Sequence, residues 1–221
     1  MRNAEERGLL IFDLDGTLFR GDQATVSAVW ETCDLLGAPH PPPEEICSFF
    51  GRPVSEFHDW FRALVCAGEG RVEEALDLLE EKEIEYVAKK GRLYDGVERV
   101  LEELKENTFR IILCTNGRRR YVYAVLEGME ILPFFDFVRY RRDGDTGKEA
   151  MVGEIVRAFP APAAAVIGDR HDDIAAAKTN GLHSIGVAYG FGSEEEIRSA
   201  DVIVRSAGEI PGAVRRLFGD T

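Results

Sequence analysis

Five short, continuous apolar runs recur along this chain, at residues 9–12, 109–114, 135–138, 163–167 and 183–187. Each is followed by polar or glycine-containing residues and then by a segment of helical character. Runs that are apolar throughout, rather than alternating with polar residues, suit strands buried on both faces. Interleaved with helices, they predict crossover units and an α/β fold built on an open parallel sheet. Val202–Val204 is expected as a short edge strand and residues 207–218 as a last helix.

The alternation breaks between Phe19 and about Leu93. Helices alone are expected there, at 24–36 with Gly37 as the stop, at 53–66 and at Val72–Lys90. Pro41-Pro42-Pro43 makes a turn whose last proline suits a first helical position. An all-helical insertion after the first strand reads as a cap, which divides the chain into a core domain (1–19 and 92–221) and a cap domain (20–91). The joints fall near 19–22 and 91–96, where Gly21, Gly91 and Gly96 supply flexibility. In the cap, Leu76, Leu79 and Val87 turn inward, while Glu73, Glu74, Glu80, Glu81, Glu83 and Glu85 form a solvated face. Trp30, Trp60 and the Phe49-Phe50 pair read as cap core.

Composition narrows the partners. A length of 221 residues suffices for a core plus one insert, and the net charge of −13 disfavours a nucleic-acid backbone or an anionic membrane as partner. A small anionic substrate stays compatible with it, because one site can be locally positive. Cys33, Cys47, Cys66 and Cys114 form no Cys-x-x-Cys pair, so reduced thiols and a cytoplasmic location are expected. Residues 1–7 lack the apolar stretch of a signal peptide, and no run approaches a membrane span.

The first apolar run ends in Asp13-Leu14-Asp15-Gly16-Thr17-Leu18. Carboxylates two residues apart raise each other's pKa unless a proton or cation offsets them. A hard divalent metal with oxygen ligands does so, and Gly16 lets the chain turn sharply off the strand. The pattern reads as a carboxylate nucleophile beside a carboxylate acid/base, with magnesium over both. In an open α/β sheet, ligands gather at the carboxyl ends of strands. Three further ends carry polar sets: Thr115-Asn116-Gly117, Lys148 after Gly144-Asp145-Thr146-Gly147, and Gly168-Asp169 with Asp172 and Asp173. Singly, the second and third sets are weak, since any turn, cap or solvated helix carries such residues. Four sets in this order on one sheet are far more specific.

With those motifs the chain resembles the haloacid dehalogenase superfamily, in its phosphatase branch with a helical cap, and is similar to phosphoglycolate phosphatase-like proteins. The match runs from about Gly8 to about Gly190. Leu93-Tyr94-Asp95-Gly96-Val97 resembles that family's return from cap to core, and residues 175–181 resemble the helix after the fourth motif. The resemblance implies a Rossmann-like core and a Mg²⁺-dependent phosphatase acting on a small phosphorylated metabolite, as a monomer or homodimer. Asp13 would attack phosphorus and Asp15 would serve as acid and then base. Mg²⁺ would sit on Asp13, the Asp15 backbone carbonyl and Asp169. Asp173 would anchor metal-bound water, with Asp172 as its rival and spacing in favour of Asp173. Thr115, with the amides of Leu14 and Asn116, would hold the phosphoryl oxygens, and Lys148 would offset charge. Thr17 is read as a buttress of the turn.

The chain departs from those relatives at Phe19-Arg20-Gly21-Asp22, which bears on the hinge and the docking of the cap. For substrate selection, Arg52 in Gly51-Arg52-Pro53 is the candidate clamp for a carboxylate or second phosphate. Arg118 is the candidate at the entrance, with Arg119, Arg120 and Tyr121 taken as solvated. His171 is placed at the surface and His58 as packed or solvent-facing. Two other activities fit the same fold: a phosphomutase resembling β-phosphoglucomutase, and a catalytically silent binding protein. A haloacid dehalogenase is disfavoured by Asp15. Sugar phosphates, nucleoside monophosphates and pyrophosphate stay open beside phosphoglycolate as substrates.

Overall fold

The computed structural model describes residues 7–65 and 72–219. The chain begins with β1 (Gly8–Phe12), β2 (Phe19–Arg20) and four helices, α1 (Asp22–Leu36), α2 (Pro43–Cys47), α3 (Val54–Val65) and α4 (Val72–Lys90). It continues through β3 (Arg92–Leu93), α5 (Val97–Glu106), β4 (Phe109–Cys114), α6 (Arg119–Gly128), β5 (Phe137–Arg139) and α7 (Lys148–Ala158). It ends with β6 (Ala164–Gly168), α8 (His171–Thr179), β7 (His183–Val187), α9 (Glu194–Ile197), β8 (Val202–Val204) and α10 (Ile210–Phe218). The expected open parallel sheet is present: six strands in the order β5-β4-β1-β6-β7-β8, each neighbouring pair parallel.

Strand β1 is buried from end to end because both of its faces are covered. Leu9 and Ile11 pack with Met151, Val152 and Ile155 of α7 and with Ala176 and Ala177 of α8. Leu10 and Phe12 pack on the opposite face with side chains of α5, α6 and α10. Successive strand residues point to opposite faces, so a strand between two helical layers must be apolar at every position. Strand β5 begins two residues later than the run at 135 suggests. Asp136 meets Ile111 first, its N–H donating to the Ile111 carbonyl at 2.8 Å and its Oδ2 accepting the Ile111 N–H at 2.8 Å. The last expected helix divides into a 3-10 turn at Ala207–Glu209 and α10.

The four helices α1–α4 build a separate apolar cluster of their own, from Ala28, Val29 and Cys33 of α1, Ile46 of α2, Phe57 and Phe61 of α3, and Leu76 and Leu79 of α4. Gly37 stops α1 in the left-handed region, with φ 69°, a conformation that costs a residue without Cβ little. Trp30, Phe49 and Trp60 pack on this cluster as expected. Phe50 does not: it stacks on Phe191, across from the sheet, with ring centroids 4.3 Å apart. The two joints of the insert lie side by side as an antiparallel pair, Phe19 opposite Leu93 and Arg20 opposite Arg92. The insert therefore leaves and re-enters at one place, just beyond the carboxyl end of β1. Among the described residues, no helix is long and apolar enough to cross a membrane. Cys33, Cys47 and Cys114 are free thiols, and Cys66 lies outside the described residues.

Candidate active site

Register brings the polar motifs together. Phe12 is paired with Leu113 of β4 on one side and Ile167 of β6 on the other. Asp13 and the residues after it thus run level with 114–115 and 168–169, on strands that neighbour one another at about 4.8 Å. Strand order reverses around β1, which makes this the crevice where open α/β sheets bind ligands. Gly16 is required twice over. Its φ is 85°, and an added Cβ would lie 2.3 Å from Asp169 Oδ2.

Lys148, 2% exposed at the start of α7, donates to Asp13 Oδ1 at 2.5 Å and to Asp173 Oδ1 at 2.6 Å. Asp173 also accepts the Arg170 N–H through Oδ2 at 3.1 Å. Asp172 is half-exposed beside His171, so of the two rivals Asp173 is the one that reaches the cluster. Asp169 is fully buried, and its Oδ2 accepts the N–H groups of Phe191 at 2.8 Å and Gly192 at 3.0 Å. Thr17 donates to Asp169 Oδ1 at 3.4 Å, which fits its reading as a buttress.

Oxygens of Asp13, Asp169 and Asp173 lie within 4.8 Å of one another. Burial pushes the Asp13 carboxyl well above its usual range against the pull of Lys148, with Asp173 and Asp169 adding to the rise. Asp169 is pushed up to about 6 by burial and then by Asp173. Burial works against the charge of Lys148 as well, but Asp13 and Asp173 outweigh it and hold the ammonium above its ordinary value. One ammonium therefore faces three carboxylates. Among the described residues, Asp13 Oδ2 is the buried side-chain oxygen without a hydrogen-bond partner. Clustered hard oxygens, excess negative charge and an orphaned carboxylate oxygen fit a magnesium-type cation.

The Asp15 carboxyl accepts the Tyr121 hydroxyl at 2.6 Å and is pushed up to about 6, chiefly by burial. Tyr121 is thus not solvated, contrary to the expectation from its place after three arginines. The apolar positions of α6 at Val122, Val125 and Leu126 pack on the sheet, and this orientation turns the ring toward the site.

Thr115 is buried and its Oγ1 accepts the Gly117 N–H at 3.1 Å. Asn116 has its side chain committed elsewhere. It donates to the Gly51 carbonyl at 3.0 Å and accepts from Arg141 at 3.0 Å. Nearby, Arg170 Nη1 donates to the Phe50 carbonyl at 2.7 Å. The loop around Gly51 is therefore tied directly to the ends of β4 and β6. The loop before Lys148 is held by buried Arg139, which grips Asp145 with two bonds, at 2.7 and 2.9 Å, and Glu154 at 3.0 Å.

A cavity lies between the sheet ends and the helical insert, lined among others by Asp15, Thr115, Phe57 and Leu76. Arg52 and Arg118 both line it. Arg52 is half-exposed, 3.7 Å from Glu56 and over the Phe49 ring. His58 lines it too, and burial followed by Arg118 and Arg62 lowers its pKa to about 4, so the imidazole is neutral. Glu83 departs from the solvated face expected of α4. It faces the cavity, and burial, then Asp15 and Glu80, raise its carboxyl to about 8 while Thr25 bonds to it. His171 is exposed, as expected.

Sequence reasoning missed the hydroxyl of Tyr121, the amides of Phe191 and Gly192, and the Arg139–Asp145 clamp. Only Gly190-Phe191-Gly192, directly after an apolar run, carried a visible signal of close backbone approach. A Cβ on Gly192 would lie 1.8 Å from the Asp169 carbonyl oxygen.

Comparison with known proteins agrees with this geometry. The family described as haloacid dehalogenase-like hydrolase matches residues 10–187. A 5'-nucleotidase of Pseudomonas aeruginosa is 30% identical over 200 residues, covering 86% of this chain and 86% of the relative. A phosphoglycolate phosphatase of Nitrosococcus oceani is 27% identical, covering 91% of this chain and 94% of the relative. The crystal structure of a predicted phosphatase from Clostridium acetobutylicum superimposes with a TM-score of 0.79 at 26% identity, covering 96% of this chain and all of the other.

Proposed function

The chain belongs to the haloacid dehalogenase-like hydrolase family, and we propose that it is a Mg²⁺-dependent phosphomonoesterase for a small metabolite, working through a phosphorylated Asp13. The observation that carries this reading is the Asp13 carboxylate, with one oxygen on Lys148 and the other buried without a partner. Asp13, the Asp15 backbone carbonyl and Asp169 would hold the metal, with Asp173 anchoring its water. When bound, Mg²⁺ would neutralise charge on the phosphoryl oxygens and let two anions meet.

Asp13 attacks phosphorus in line with the leaving oxygen and becomes an acyl phosphate, so one difficult hydrolysis is split into two easier steps. Asp15 gives its proton to the leaving oxygen and then takes one from the water that cleaves the acyl phosphate. A carboxyl pushed up to about 6 is suited to both duties near neutral pH. Lys148 and the Thr115 hydroxyl stabilise the transferring group, the main catalytic means in phosphoryl transfer. Residues 20–91 act as the cap over residues 1–19 and 92–221, and Arg52 and Arg118 sort substrates from its wall and rim.

Within that class, the cavity wall favours a leaving group with hydrogen-bond donors and an apolar surface. Phe49, Phe57 and Glu83 line it, and a carboxyl raised to about 8 stays protonated near neutral pH, where it can both donate and accept hydrogen bonds. That wall, and the 5'-nucleotidase relative, support a nucleoside monophosphate over phosphoglycolate. Phosphate release from a panel containing both, with and without Mg²⁺ and with Asp13→Asn as control, tests the reading. Isomerisation without release identifies a mutase instead, and no turnover by folded protein on any phosphoester identifies a silent binding protein.

A further inference from the structure

We infer that Tyr121 is a positioning residue for the acid step, fixing which oxygen of Asp15 delivers the proton. This rests on the reading of Asp15 as the general acid. Among the described residues, the Asp15 carboxyl accepts its side-chain hydrogen bond from Tyr121, which donates to Oδ1 at 2.6 Å. A phenol in that role is a donor and cannot also accept a carboxylic proton in the same line, so the proton of protonated Asp15 resides on Oδ2. As the bond from phosphorus to the leaving oxygen breaks, the electron pair goes to that oxygen and the proton passes to it from Oδ2. Tyr121 keeps its own proton throughout.

The ring is wedged where it can do this. A Cβ on Gly21, at the first joint of the insert, would lie 3.2 Å from the Tyr121 hydroxyl oxygen, and a Cβ on Gly117 would lie 3.3 Å from the Tyr121 ring. Two glycines therefore leave the space the ring fills. Tyr121 stands in the first turn of α6, directly after the Thr115-Asn116 strand end. Without the hydroxyl, the carboxyl of Asp15 is free to rotate about its last torsion, which is broad and roughly two-fold. Half of its orientations then present the wrong oxygen or none.

The test uses the full chain with Mg²⁺ and a series of aryl phosphates from 4-nitrophenyl phosphate to phenyl phosphate. A nitrophenolate departs without help from an acid, whereas a phenolate needs it more. Because kcat/KM reports the steps up to departure, it reads the acid directly. Tyr121→Phe is expected to lower kcat/KM for phenyl phosphate about tenfold and for 4-nitrophenyl phosphate less than about twofold. Asp15→Asn should show the same dependence, more steeply. Tyr121→Leu serves as a second hydroxyl-free chain should the Phe variant not fold. Equal loss on every substrate, or no loss, with Asp15→Asn still selective, overturns the role of Tyr121. If Asp15→Asn itself shows no dependence on the leaving group, the acid reading fails and the inference falls with it.

Discussion

The carboxyl end of the sheet and the wall of the helical insert meet across one cavity, yet they are built differently. At the sheet end, Asp13, Lys148, Asp169 and Asp173 are each at most 3% exposed, and their polar atoms, Asp13 Oδ2 apart, are tied by hydrogen bonds to one another, to Thr17 and to backbone amides. On the insert wall, Arg52 is 45% exposed in its side chain and touches Glu56 only at 3.7 Å. Buried charges are tolerated only with near-complete pairing, so the sheet end can hold one arrangement and resists change. A half-exposed arginine is held weakly, so the insert wall can be altered without loss of the fold. On the proposed reading, chemistry sits where the structure is overdetermined, and selection sits where it is not.

The largest effect expected from this contrast is at the sheet end. Asp13→Asn should leave the protein folded and lower turnover on every substrate by at least about 10³-fold, as measured by phosphate release beside circular dichroism. Comparable turnover by the variant would remove the nucleophile from its place. Next is Lys148→Met, which strands two buried carboxylates. It should cost about 3–5 kcal/mol of stability in metal-free protein, read from denaturant unfolding in a chelator. An unchanged midpoint would mean that the sheet end is less tightly coupled than its geometry implies.

Metal removal separates the two regions by pH. Asp169, at about 6 in the folded protein, must lose its proton before it can ligate a cation. Added Mg²⁺ should therefore raise the melting temperature more at pH 8 than at pH 5, and an equal rise at both would argue against a carboxylate site. Glu83 gives a smaller pH effect on the insert side. Its folded pKa of about 8 exceeds the ordinary 4.5, so the folded state binds its proton more tightly than the unfolded chain. That contribution to stability is complete below pH 4.5 and is lost as pH rises to about 8. Relative to Glu83→Gln, the wild-type melting temperature should fall through this window, and parallel curves would place Glu83 in water. The smallest effect is that of Arg52→Ala. It should change the ratio of kcat/KM between two metabolites roughly fivefold, in keeping with an exposed contact. A uniform loss on all substrates would make Arg52 structural.

The fold was legible because burial on both faces writes itself into composition. A strand such as β1, with helices on either side, has no polar position to obscure it. The two-residue pair β2–β3 was legible only as joints, since two residues carry no periodicity. Asp13, Asp15, Lys148 and Asp169 stood out because each follows an apolar run or a glycine-rich loop, where a charged residue needs a reason. Glu83 did not, because among six glutamates on α4 nothing local marks the one whose carboxyl burial and Asp15 raise.

The sequence alone determined the parallel sheet, the helical insertion after its first strand, and the acidic residues at the strand ends, because periodicity and turn chemistry are local properties. Only the tertiary structure decided which partners those residues meet. The Tyr121 hydroxyl lies 106 residues from Asp15, the amides of Phe191 and Gly192 lie 22 and 23 from Asp169, and Lys148 lies 135 from Asp13. Such contacts depend on strand register and helix docking, which no window of neighbouring residues encodes.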